Sequence, residues 1–205
     1  EKGVLVTEKR KVDRLAVDHT KGDIHFHALT PSQSNALQDI QTQLETQNVS
    51  LLHGITGSGK TQIYVSLINE VIKQGKQALY MLPEIALTAQ MIRRLKQYFG
   101  GSVAIYHSKF NPNERVEIWN KVKSGEIKIV LGARSALFLP YKNLSLIVID
   151  EEHDASYKQQ EPAPRYQARD TAIYYANQLN AKVVLGSATP SVETFYNAKS
   201  KKFGY

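Results

Sequence analysis

Residues 50–61 read SLLHGITGSGKT. A short apolar run stops at Gly54, two more glycines follow at 57 and 59, and Lys60-Thr61 opens a helical pattern. The spacing is G-x-x-x-x-G-K-S/T, the signature of a phosphate-binding loop. Its glycines let the backbone curl until successive N–H groups point inward, and the helix that follows adds the positive end of its dipole. Gly54, Thr56, Gly57, Ser58, Gly59, Lys60 and Thr61 are therefore expected to cradle a nucleotide's phosphates. Lys60 would reach the β- and γ-phosphates, and the Thr61 hydroxyl would ligate Mg²⁺.

Outward from this loop, apolar runs at 50–53, 77–82, 102–106, 127–131, 144–149 and 182–185 read as strands. Helical spacing fills 60–74, 85–98, 112–124 and 166–179, and Thr30 or Ser32 can cap a further helix through Ala36, Leu37 and Ile40. Strands alternating with helices predict an α/β fold, a doubly wound, mostly parallel sheet with helices on both faces. Residues 1–28 carry too little apolar content for a core, so the main domain is expected over 29–205.

A phosphate loop needs a second metal anchor at the end of a neighbouring strand. Residues 146–154, LIVIDEEHD, place four apolar residues before four acids in five positions. Asp150 stands where a carboxylate should hold Mg²⁺, and Glu151 where one can orient or deprotonate an attacking water. A divalent cation and a triphosphate outweigh the local repulsion. A GTPase would need a base-reading N/T-K-x-D motif after the loop, but Thr20-Lys21-Gly22-Asp23 precedes it. A small-molecule kinase rarely needs the second carboxylate.

The chain has 205 residues, 42% apolar and 22% charged, enough for a sizeable core and against disorder. No run of 18 apolar residues suggests a membrane span, and no signal pattern suggests secretion. Cysteine is absent, which fits a reducing compartment and excludes a Cys-ligated zinc in this chain. The net charge is +7, and residues 73–128 hold 10 Lys/Arg against 4 Glu and no Asp. A positive field so concentrated suits a polyanion. The sequence starts at Glu1 as if excised from something longer.

Asp150-Glu151-Glu152-His153 is similar to the D-E-x-H box of superfamily 2 helicases, Ser187-Ala188-Thr189 to their S/T-A-T motif, and Thr30-Pro31-Ser32-Gln33 to their Q motif. More narrowly, LPEIALTAQ (82–90), GARSALFLP (132–140), DEEHDASYKQQEPAPRYQARD (150–170) and GSATPSVET (186–194) resemble the PriA family of primosomal replication-restart helicases. The likeness covers roughly 29–205 and implies a RecA-like first motor lobe. Residues 1–28 would then be the tail of a preceding, winged-helix-like module and a linker.

The resemblance further implies that Gln33 reads adenine and that His153, Ser187 and Thr189 link the γ-phosphate to DNA movement. Pro83 and Glu84 would touch the strand backbone, and Arg134 and Ser135 would hold a phosphate. In the loop after the acidic box, Tyr157 and Tyr166 would stack bases, with Lys158, Arg165 and Arg169 on phosphates. From Glu151 to Asp170 there are 5 acids against 3 bases, so the bulk of the charge would come from residues 73–128. Ala133 stands where the family often has Thr.

What the family does implies ATP and Mg²⁺ as cofactors, 3′-to-5′ movement on single-stranded DNA, and action at stalled, forked DNA in the bacterial cytoplasm. Implied partners are single-stranded DNA-binding protein and primosome proteins, with no membrane. Zinc is expected only in the part of the parent protein beyond this chain. Without a second lobe the chain alone is expected to hydrolyse little. Two alternatives stay open: another superfamily 2 DNA translocase, and a non-catalytic DNA-binding or assembly module on an ATPase fold. Of the remaining residues, Trp119 shares a helical face with Val116 and Val122 and is expected in the core. His25/His27 show no third metal ligand, and His107-Ser108 at a strand end fit either DNA contact or capping.

Overall fold

The computed structural model describes residues 28–107 and 111–205. The expectations for residues 1–27, including His25/His27 and Thr20–Asp23, and for Ser108, lie outside the described residues. Six strands form one sheet: β1 (Val49–His53), β2 (Gln77–Met81), β3 (Val103–Tyr106), β4 (Ile129–Gly132), β5 (Leu144–Asp150) and β6 (Lys182–Ser187). Their spatial order is β1-β6-β5-β2-β4-β3, and every pairing is parallel. The doubly wound α/β fold is therefore present.

Among the described residues six α-helices cover the sheet: α1 (Pro31–Thr46), α2 (Lys60–Lys73), α3 (Ala89–Phe99), α4 (Pro112–Ser124), α5 (Ala168–Leu179) and α6 (Val192–Lys199). Strand residues alternate between two cores. Leu146 and Val148 of β5 join α1, α2 and α3, whereas Ile147 and Ile149 join α4, α5 and α6. Near-continuous apolar strands are what a sheet buried on both faces requires. Local chemistry sets the helix starts. Thr30 and Gln33 form a reciprocal capping box on α1, as do Asn111 and Glu114 on α4, each with Pro at the first position.

Three expectations change. The helix over 85–98 is a 3-10 turn at Glu84–Ala86 followed by α3, because Thr88 accepts a bond from the Met91 N–H and starts the helix there. Helix α6 is additional: it buries Thr194 and Ala198 while Val192 and Tyr196 face outward, so no apolar stripe announced it. Trp119 is not in the core. It is 46% exposed beside exposed Val116, because α4 turns Ile118 and Val122 to the sheet instead.

Candidate functional site

Parallel strands bring every strand's C-terminal end to one edge, where ligands of such sheets bind. Along that edge lie, in order, the glycine loop after β1, Ser187–Thr189 after β6 and Asp150–His153 after β5. Pro83–Ile85 after β2 and Arg134–Ser135 after β4 follow. Strand β6 thus sits between the two strands that carry the phosphate loop and the acidic box.

In the loop, Gly57 and Gly59 have φ of 80° and 83°, a region that costs an L-residue about 1–2 kcal/mol. A Cβ on Gly59 would also meet the Gln33 amide at 2.2 Å. Helix α2 begins at Lys60 with no side-chain cap, and the Gln62 N–H is taken by the Gly59 carbonyl at 2.8 Å. Such a terminus favours anions. Lys60 is buried and donates to the Gly54 and Ile55 carbonyls, at 2.7 and 3.3 Å. Gln33 is engaged at both ends of its amide: Oε1 accepts from the Thr30 N–H, and Nε2 donates to the Ser58 carbonyl. It therefore braces the loop.

The four acids after β5 point four ways. Glu151 has φ 48°, a left-handed kink that sends its neighbours apart. The Asp150 carboxylate accepts from Tyr64 at 3.1 Å, Tyr80 at 3.2 Å and the Glu151 N–H at 3.1 Å. Burial and then the Glu151 charge raise its pKa above the usual carboxylate value, against the pull of those donors. The half-exposed Glu151 has Oε2 3.7 Å from His153 Nδ1. Glu152 is fully buried against Arg169, Ser191 and Thr194. The Ser156 hydroxyl, and then the Ser156 N–H that Asp154 accepts at 2.8 Å, lower the pKa of Asp154. His153 Nδ1 lies 2.7 Å from the Ser187 hydroxyl and Nε2 3.3 Å from that of Thr189.

The loop after the box is ordered by its own bonds. Lys158 bridges Gln167, the Gln159 N–H donates to Tyr166, and the Gln159 amide donates to the Pro162 and Pro164 carbonyls. Arg134 Nη1 donates to the Ser156 and Lys158 carbonyls, tying the loop to the end of β4. Arg134, Lys158 and Arg165, with Glu161, line an open cleft of about 760 Å³. Tyr166 stands edge-on to exposed Phe138, with ring centroids 5.2 Å apart. Glu84 is exposed beside Ile85, whereas Pro83, expected to touch a strand backbone, is buried.

Two residues of this loop depart from expectation. Tyr157 is 1% exposed and donates to the Asp150 carbonyl at 2.7 Å, so it has no face for a base. Arg169 is bound to Glu152 and Asp170, so its guanidinium is not free for a phosphate. The basic stretch also divides: Lys73, Lys76 and Lys128 precede β2 and β4 and lie at the opposite end of the sheet. Sequence reading missed Tyr64, Tyr80 and Glu152 altogether. For Glu152 a signal existed, since an acid next to a fully apolar strand that has no role at the metal needs a buried cation.

The oxygen-only pair Thr61 and Asp150 suits Mg²⁺, which prefers hard donors, and the Tyr80 phenol donates to the Asp150 carboxylate. Among the described residues no cluster of three His, Cys, Asp or Glu could hold another metal, and no helix is long and apolar enough to cross a membrane.

The profile of the DEAD/DEAH box helicases matches residues 30–197. Replication restart protein PriA of Bacillus subtilis (strain 168) is 47% identical over 173 residues, which cover 83% of this chain and 21% of that protein. PriA of Chlamydia trachomatis serovar D is 41% identical over 208 residues, covering 97% and 28%. The chain thus spans about a quarter of the length of these curated relatives. Among solved structures, RecG bound to a three-way DNA junction superposes with a TM-score of 0.61 at 26% identity, covering 85% of this chain and 23% of that one. Mycobacterium smegmatis Lhr bound to ssDNA and AMP-PNP gives 0.60 at 22%, covering 84% and 24%, a likeness of fold alone. With the fold, the phosphate loop and the D-E-x-H box in one frame, the chain belongs to the DEAD/DEAH box helicase family, as a RecA-like motor lobe.

Proposed function

We propose that the chain is the ATP-hydrolysing first lobe of a replication-restart DNA helicase that moves 3′-to-5′ on single-stranded DNA. The observation that carries this is the arrangement along the sheet edge. Nucleotide residues occupy the ends of β1, β6 and β5, strand-contact candidates the ends of β2 and β4, and the loop after β5 joins the halves through Arg134. Likeness to PriA supports the restart role, and with it forked DNA, single-stranded DNA-binding protein and primosome proteins as partners in the bacterial cytoplasm.

In this reading the loop N–H groups, the α2 terminus and Lys60 bind the phosphates, and Lys60 exchanges its carbonyl partners for phosphate oxygens. Gln33, already against Ser58, shifts to the adenine edge. Glu151 orients and accepts a proton from the attacking water. Thr61 and Asp150 hold Mg²⁺, which when bound neutralises phosphate charge. His153 passes a change at Glu151 to Ser187 and Thr189 through contacts already made. On the DNA side, Glu84 and Ser135 meet the backbone, Lys158, Arg165 and the free side of Arg134 take phosphates, and Tyr166 with Phe138 offers an aromatic edge to a base.

The test is ATP hydrolysis by the full-length protein with and without single-stranded DNA. DNA should stimulate turnover, and Lys60→Ala should abolish it. Arg165→Ala should reduce the stimulation while the DNA-free rate holds. Turnover indifferent to DNA in every form refutes the motor reading.

A further inference from the structure

We infer that Tyr64 and Tyr80 are positioning residues for the divalent cation, holding Asp150 in place as its ligand; this rests on the nucleotide reading above. Both tyrosines are 0% exposed, on opposite sides of the same carboxylate. Tyr64, on α2, donates to Oδ1 at 3.1 Å, and Tyr80, on β2, donates to Oδ2 at 3.2 Å. Their rings meet edge-on, with centroids 5.6 Å apart.

A carboxylate held at both oxygens cannot rotate about its side-chain bonds. Oδ1 also accepts from the Glu151 N–H, so the lone pair left for a cation lies on Oδ2. Phenylalanine would fill the same space in this core. What the hydroxyls add is the grip on Asp150. The neighbouring backbone accommodates that grip: a Cβ on Gly186 would fall 1.6 Å from the Tyr64 hydroxyl and 3.4 Å from Asp150 Oδ1. Glycine at 186 is thus what lets the Tyr64 phenol reach the acid from between β5 and α2.

The experiment titrates Mg²⁺ into the full-length protein with a fluorescent ADP analogue, beginning in EDTA. Losing an outer-shell partner of a metal ligand commonly weakens metal binding ~10-fold or more. Tyr64→Phe and Tyr80→Phe should each raise the half-saturating Mg²⁺ by about that factor, with metal-free nucleotide affinity held within about twofold. Gly186→Ala should reproduce Tyr64→Phe, and the two together should be far from additive. Melting temperature in EDTA is recorded alongside. A lowered melting temperature with unmoved Mg²⁺ half-saturation would mean that the phenols are structural only, and overturns the proposal. The two Phe variants are read independently, so that if one fails to fold the other decides. Should wild type and Lys60→Ala both ignore nucleotide, the nucleotide reading itself falls. Should wild type respond to Mg²⁺ and both Phe variants match it, only the positioning role falls.

Discussion

Replacing Arg169 by Met should damage stability and leave DNA binding largely intact, the reverse of what its expected phosphate contact suggests. The Glu152 side chain is 0% exposed and that of Arg169 9%. The carboxylate accepts from Arg169 Nη1 at 3.0 Å, the Ser191 N–H at 2.7 Å, the Ser191 hydroxyl at 3.1 Å and the Thr194 hydroxyl at 2.9 Å. Removing the guanidinium leaves three neutral donors around a buried charge. Breaking a buried pair from one side costs about 3–5 kcal/mol. The Asp170 contact adds little, since that carboxylate is 61% exposed. For a chain of this length, each kcal/mol moves the melting temperature by about 2–4 °C, so Arg169→Met should lose roughly 6–20 °C by circular dichroism at pH 7. Glu152→Gln with Arg169→Met removes both charges and should recover most of the loss. A loss below about 1 kcal/mol for the single variant, or a double variant as unstable as the single, refutes the reasoning.

Arg165→Ala, in the open cleft, should lower the salt slope of single-strand binding by about one, whereas Arg169→Met should leave the slope unchanged; equal slopes in both variants contradict the division. The raised pKa of Asp150 means that the folded state holds the proton more tightly than the unfolded chain. Its contribution therefore grows as pH falls through the folded pKa and is unfavourable at neutral pH. Asp150→Asn should raise stability by roughly 0.5–2 kcal/mol at pH 7 in EDTA while ending hydrolysis, and a lowered melting temperature counts against it. Gly59→Ala strains a left-handed position and displaces Gln33, so it should cost about 1–2 kcal/mol and weaken nucleotide affinity, both readable in one ligand-dependent melting series. Tyr157→Phe loses the bond to the Asp150 carbonyl and should cost about 1–2 kcal/mol, with DNA affinity within twofold if the ring carries no base.

The phosphate loop and the acidic box were legible because their chemistry is local: glycine, lysine and threonine within eight residues, and an acid at the end of an apolar run. Burial was not legible in the same way. Val116, Trp119 and Val122 share a helical face by spacing, yet which face of α4 is buried depends on where β3 and β4 lie. The loop after the box was misread for a related reason. Aromatic and guanidinium groups serve nucleic acids, but they also serve buried polar atoms that need a donor. Tyr157 bonds a carbonyl seven residues back, and Arg169 meets Ser191 twenty-two residues on, a partner that exists only once β6 is laid beside β5. What separates the two uses is whether an unclaimed acceptor lies within reach. The box holds more acids than a metal and a water need, and Glu151's left-handed backbone turns the surplus one inward. From that point the protein requires a cation under the loop, and the arginine at the start of α5 supplies it. The same turn leaves Glu151 and His153 at the strand-end edge beside Ser187 and Thr189. One kinked residue thus divides a single acidic run into a part open at that edge and a part buried beneath the loop.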